Sequence, residues 1–253
     1  MPPLDVAVLD ETERARGAAF AAPRDARRYL AAHVLLRHLL AARLGVTPRE
    51  VPLERAACPN CGRGHGRPRV PAAGAPHFSL SHSGGLVLVA VADKPVGADV
   101  QRAPASATAD VCAGRLHPDE RAELARTPHE RRGEHFARIW ARKEAYLKGL
   151  GTGLCRPPRL DYLGADTSRL PRGWAVRDVP LTPSAPLVSG YAAAVALGGT
   201  HVPLAPPHVR HVPYAALADP GRAQATLAAA SHPVVPRPTT SHPPTPYTDR
   251  TPI

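Results

Sequence analysis

The stretch Trp140-Ala141-Arg142-Lys143-Glu144-Ala145-Tyr146-Leu147-Lys148-Gly149-Leu150-Gly151-Thr152-Gly153-Leu154 decides how this chain is read. It closes the strongest helical pattern in the sequence, predicted over 130–148, with Phe136, Ile139, Trp140 and Leu147 on or near one face. Gly149, Gly151 and Gly153 end it. Glu144 and Lys148 are four apart and share a face, while Lys143 lies roughly 100° around the helix. As an ordinary surface ion pair, Glu144 and Lys148 would contribute only about 0.3–0.5 kcal/mol. Lysine is rare here, however: Lys94, Lys143 and Lys148 are the only ones among 32 basic residues. A carboxylate between two retained lysines, beside a glycine-rich exit, suits a metal–phosphate site.

Working outward, Asp25 to Leu44 places Leu30, Val34, Leu35, Leu39 and Leu40 near a 3.6-residue period and predicts an amphipathic helix closed by Gly45. A short charged stretch, Glu11 to Arg16, precedes it, and residues 46–76 read as irregular. His77–Leu80 and Leu86–Ala92 read as strands, the second a continuous apolar run that should be covered on both faces. Ser81-His82-Ser83-Gly84-Gly85 is expected to link them, and Lys94-Pro95 to turn into a third strand over 96–100. Residues 104–113 read as a small-residue linker and subdomain boundary. A helix over 118–125 follows, then strands over 176–179 and 188–197. Residues 201–253 hold 12 of the 31 prolines and two acidic residues, which predicts a disordered tail.

Of the 253 residues, 43% are hydrophobic, enough for a core. No apolar run approaches the ~20 residues of a membrane span, and the early acidic N-terminus has no apolar signal region, so the expected setting is the cytoplasm. A net charge of +11 favours polyanions, phosphorylated cofactors or acidic protein surfaces. Basic residues are not interleaved with aromatics and no nucleic-acid signature occurs, so a nucleic-acid partner is not expected. Asp99 and Gln101 are two apart on a short strand and project from one face, where their oxygens could serve Mg²⁺.

Together these segments resemble the 4′-phosphopantetheinyl transferases of the surfactin-synthetase (Sfp) type. That family carries, in this order, a Ser-His-Ser block (here 81–83), a Gly-x-Asp-x-Glu block (here Gly97-Ala98-Asp99-Val100-Gln101) and a Trp-x-x-Lys-Glu-Ala-x-x-Lys-x-x-Gly-x-Gly-Leu block (here 140–154). Gly66-Arg67-Pro68 looks like its Gly-Lys/Arg-Pro element, and Arg14 to Arg28 resembles its basic N-terminal helix region. The chain departs at Gln101, a neutral amide where the family has its second acidic residue. That leaves Asp99 and Glu144 with most of the charge compensation.

The resemblance implies an α+β fold, a pseudo-dimer of two similar α+β subdomains (1–103 and 104–200) with coenzyme A as substrate in the cleft between them. It implies transfer of phosphopantetheine to a serine of an apo acyl or peptidyl carrier protein by a monomer, with 3′,5′-ADP leaving. Cofactor contacts are expected from Arg16, Arg28, Tyr29, Arg67, Ser81, His82, Asp99, Lys143 and Lys148. Mg²⁺ ligands are expected at Asp99, Gln101 and Glu144, and catalytic roles at Glu144 (the base, directly or through water), Lys148 and His82. A noncatalytic coenzyme A or carrier-binding protein, with Gln101 marking a decayed metal site, is the rival reading. Cys58-Pro59-Asn60-Cys61 followed by His65 has zinc-like spacing but only three local ligands, Cys112 and Cys155 being far off in sequence. The segment is therefore read as a loop that carries Arg67 to the cofactor.

Overall fold

A computed structural model describes residues 3–181, 189–199, 207–219 and 221. Two helix-on-sheet units meet along one seam. In the first, α1 (Glu11–Ala18) starts at an Asp10 capping box closed by Glu13, and α2 (Pro23–Leu44) starts on a proline and ends at Gly45, whose φ of 71° is open to glycine at little cost. The two helices are fastened by Arg37, which is 1% exposed and donates to Glu13 at 2.6 Å and to Asp10 at 2.7 Å.

Next come β1 (Glu54–Arg55), β2 (Pro68–Arg69), β3 (His77–Ser83) and β4 (Leu86–Ala92). β1 pairs with β2, and β3 with β4 as an antiparallel hairpin. The segment predicted as a link is thus largely strand: β3 runs through Ser83, and the turn is only Gly84-Gly85. Both faces of β4 have apolar neighbours, but all seven of its residues are only half-buried, short of the full burial its continuous apolar run predicts. Val89 and Val91 lie against Leu36, Leu40 and Phe78, while Leu88 and Ala90 pack with Val96, Val100 and Val195.

The second unit contains β5 (Val96–Arg102), α3 (Ser106–Cys112), α4 (Pro118–Ala125), α5 (Arg132–Leu150), β6 (Trp174–Asp178) and β7 (Tyr191–Gly198). Its sheet has the order β5-β7-β6, all antiparallel, with Asp99 opposite Ala194. The predicted linker at 104–113 therefore holds a helix, anchored by buried Ala109. The strand predicted over 188–197 is observed as β7, residue 188 lying outside the described residues. Small side chains let α5 lie close on the sheet: Ala141 and Ala145 are fully buried against Val176, Ala194 and Ala196. Gly97 is needed for the same reason, since a Cβ there would stand 1.8 Å from the Ala145 carbonyl oxygen.

β3 and β5 run side by side without a backbone ladder. Serine hydroxyls replace it: the amides of Ala98, Val100 and Arg102 donate to Ser79, Ser81 and Ser83 at 2.9, 3.3 and 3.0 Å. The alternation of a strand puts all three serines on one side.

The predicted disordered tail needs correction over part of its length. Tyr214–Ala218 forms a 3₁₀ turn, and Leu217, 4% exposed, packs with Val8, Leu9, Ala31 and Val34. Most of the remainder of the tail lies outside the described residues. No described helix is long and apolar enough to cross a membrane.

Candidate active site

β5 and α5 bring the second and third sequence blocks together. Lys148 donates to Asp99 Oδ1 at 2.7 Å, and Ser81 donates to the same oxygen at 2.6 Å. Asp99 is 5% exposed, so this carboxylate is fixed rather than solvated. Glu144 lies one turn before Lys148 on α5. Burial pushes its carboxyl above the ordinary value, the charge of Asp99 pushes it further, and Lys148 only partly offsets both. Two carboxylates with one neighbouring ammonium, which pairs with Asp99, leave a deficit of positive charge, and the hard oxygen donors suit Mg²⁺. Gln101 shares the strand, but its Nε2 donates to the Arg102 carbonyl at 3.0 Å.

A cavity of about 850 Å³ opens beside this cluster. Arg16, Tyr29, Arg67, Phe78, Lys148 and Thr152 are among its lining residues, so both units contribute walls. Tyr29 carries Arg16 over its ring at 5.9 Å and meets the His33 ring at 4.2 Å, the two planes tilted by 34°. Arg67 donates to the Gly149 carbonyl at 2.9 Å, bringing the irregular loop to the end of α5. Burial lowers its pKa, as expected for a guanidinium held out of bulk water. The buried hydroxyl of Thr152 has no hydrogen-bond partner among the described residues. A polyanionic ligand with hydrogen-bonding groups fits such a wall.

Arg28 and His82 stand at the hairpin end of β3. Arg28 donates to the Gly84 carbonyl and pairs with Asp25, both at 2.9 Å, while its buried Nε has no partner among the described residues. Desolvation, then Arg28 and Lys148, hold the His82 imidazole below its usual pKa.

Two expected cofactor contacts are engaged by the protein itself. Lys143, 1% exposed, pairs with the fully buried Glu120 at 2.7 Å and donates to the Pro158 and Asp161 carbonyls. The helical rotation that separates it from Glu144 turns it into the core of the second unit, away from the cavity. Ser81 spends its hydroxyl on Asp99 and the Val100 amide, so it positions the carboxylate. Sequence reading missed His33 and Thr152. His33 pairs with Glu13 at 2.8 Å, on the cavity wall. Its position four residues after Tyr29 on a helix was the available signal.

Comparison with known proteins now adds a family to this geometry. The chain is 34% identical over 152 residues to 4′-phosphopantetheinyl transferase psf-1 of Bacillus pumilus, a match covering 58% of this chain and 62% of that protein. It is 33% identical over 156 residues to 4′-phosphopantetheinyl transferase HetI of Nostoc sp., covering 59% and 62%. It is 26% identical over 133 residues to 4′-phosphopantetheinyl transferase Sfp of Bacillus subtilis, covering 53% and 56%. The chain spans about six-tenths of the length of the curated relatives it matches. The matching family model covers residues 95–194, from the start of β5 into β7, and so includes Asp99, Glu144 and Lys148. Residues 95–194 thus match the model of the 4′-phosphopantetheinyl transferase superfamily.

Proposed function

We propose that this protein transfers the 4′-phosphopantetheine group of coenzyme A to a serine of an apo acyl or peptidyl carrier protein. The observation that carries this reading is the meeting of Asp99, Glu144 and Lys148 beside a cavity lined by Arg16 and Arg67. The two helix-on-sheet units act as the halves of a pseudo-dimer, divided near residue 103, with coenzyme A between them. The protein works as a cytoplasmic monomer.

In this mechanism Arg67, with Arg16 or Arg28, grips the 3′-phosphate by charge-assisted hydrogen bonds. Lys148 and His82 hold pyrophosphate oxygens. Asp99 and Glu144 would hold Mg²⁺, with Gln101 beside them; when bound, the ion neutralises charge that grows on the pyrophosphate in the transition state. Glu144 accepts the proton of the incoming serine hydroxyl, directly or through a water. Ser81 keeps Asp99 in register, and the basic surface steers acidic carrier helices toward the cleft.

The test is direct. An apo carrier protein incubated with this protein, coenzyme A and Mg²⁺ gains the mass of one phosphopantetheine group, and 3′,5′-ADP appears in equal amount. Coenzyme A binding without any mass gain, across acyl and peptidyl carriers, would leave a noncatalytic binding protein.

A further inference from the structure

The cysteines left outside this mechanism meet at one place. Residues 56–67 form an irregular loop between β1 and β2, and only Cys58 and Gly66 in it are buried. Within it, the Gly62 amide donates to the Cys58 carbonyl at 2.8 Å and the Cys58 amide to the Arg63 carbonyl at 2.7 Å, with Gly62 at a φ of 71°. The backbone thus doubles back so that Cys58, Cys61 and His65 converge. The Cys61 sulfur lies 2.9 Å from His65 Nε2. Cys155, ninety-odd residues later, is brought to the same spot by the turn that leaves α5. The ligand atoms of Cys58, His65 and Cys155 all lie within 4.8 Å of one another. The Asn60 side chain also donates to the Cys155 carbonyl at 3.4 Å. None of the four cysteines is in a disulfide.

We propose that Cys58, Cys61, His65 and Cys155 form a structural zinc site that staples the Arg67 loop to the segment following α5. Three sulfurs and one imidazole are a donor set of closed, four-coordinate zinc, and thiolates select it over hard cations. In such a site neighbouring ligand atoms stand roughly 3.5–3.8 Å apart, from Zn–S and Zn–N lengths of about 2.3 and 2.0 Å at tetrahedral angles. The Cys58, His65 and Cys155 ligand atoms already lie within 4.8 Å of one another and Cys61 touches His65, so closure asks chiefly that the Cys61 side chain turn toward the other two sulfurs. Cys61, His65 and Cys155 are exposed, which leaves an entry path for the ion. The site also answers what holds a loop that buries almost nothing, since metal binding supplies folding free energy that a core would otherwise provide. His65 and Cys155 lie on the cavity rim together with Arg67, so the staple would fix one wall. With all four positions filled by protein, no site remains for substrate, and the role is structural.

The proposal is tested on the full chain, carrying no histidine tag, folded with zinc present and then desalted. Elemental analysis should find one zinc per chain. Cobalt substitution should give tetrahedral d–d absorption and a thiolate charge-transfer band. Cys155→Ser should lose about a third of that band, and should lose zinc to a chelator that leaves the wild type loaded. Cys112→Ser, a cysteine on α3, should keep both signals. A wild type that retains no zinc, or that carries a Cys58–Cys61 disulfide in its place, overturns the proposal. So does a Cys155→Ser protein with wild-type metal content and spectrum. If the variant does not fold, the wild-type zinc content and cobalt spectrum still decide. These readouts need neither coenzyme A nor a carrier, so failure of the transferase reading would leave them unaffected.

Discussion

Two lysine–carboxylate pairs sit five residues apart on α5, and both have an N–O distance of 2.7 Å. Lys143–Glu120 is sealed: the two side chains are 1% and 0% exposed, and three carbonyl and carboxylate oxygens surround the ammonium. Lys148–Asp99 is ajar, with the lysine 30% exposed, on the cavity wall, and a second carboxylate beside it. Pair distance alone cannot separate a structural tie from a working group. What separates them is whether the charges are balanced and whether a ligand can reach them. The sealed pair is complete, and desolvation there is met by partners on every side. The open one carries one carboxylate too many.

The strongest way to break this comparison is Glu144→Ala. Carrier modification should fall by roughly 10²–10³-fold or more, while circular dichroism and the urea midpoint stay close to wild type. Near-normal turnover would remove the surplus carboxylate from the mechanism.

Lys143→Met should do the reverse. Glu120 would be left buried without its cation, at a cost of about 3–5 kcal/mol in urea unfolding. The KM for coenzyme A of the folded enzyme should not change, and adding Glu120→Gln should recover part of the stability. A raised KM with intact stability would show that Lys143 reaches the substrate.

Lys148→Met tests the open pair from its other side. Asp99 is buried and would keep only Ser81, so stability should fall, but by less than for Lys143→Met because this lysine is 30% exposed. The kcat/KM for coenzyme A should fall about 10–100-fold, measured at saturating carrier. A large stability loss with unchanged kcat/KM would make this pair structural as well.

The smallest expected effect concerns pH. The folded state raises the Glu144 carboxyl above the 4.5 of the unfolded chain. The folded protein therefore holds that proton more tightly, and the associated stability is present at low pH and lost as pH rises through the folded value. At pH 7 without Mg²⁺, Glu144→Gln should melt slightly above wild type, and the gap should close as pH falls below the ordinary carboxyl range. A variant less stable than wild type at pH 7 would contradict the sign of the charge surplus.

Much of the fold was legible because it rests on local pattern. The apolar period of α2 and the unbroken run of β4 marked elements that the structure contains within a few residues. Ser79, Ser81 and Ser83 carried a readable signal too, a hydroxyl at every second strand position. Their partners, the amides of β5, lie 19 residues on and belong to another sheet, which no local period announces. Lys143 misled for a similar reason. Its rotation around the helix was readable, but the buried Glu120 awaiting it on α4 was not. Cys155 and Leu217 share that difficulty, since each joins neighbours far away in sequence and only the folded chain makes them neighbours.

The pairing of β5 with β7 has a consequence for how the protein comes into being. Asp99 and its partner Ala194 are 95 positions apart. The β3–β4 hairpin closes over a two-residue turn, so it can form while most of the second unit is still unmade. Strand β5 cannot, because during translation it leaves the ribosome long before β7 exists. Until then Val96 and Val100 have the β4 side chains but lack Ala193 and Val195, and Asp99 lacks the sheet that sets it opposite α5. The loop closure that ends this wait is entropically costly and late. The cluster of Asp99, Glu144 and Lys148 is therefore among the last parts of the molecule to be assembled, and a nascent chain has its hairpin well before it has its candidate site.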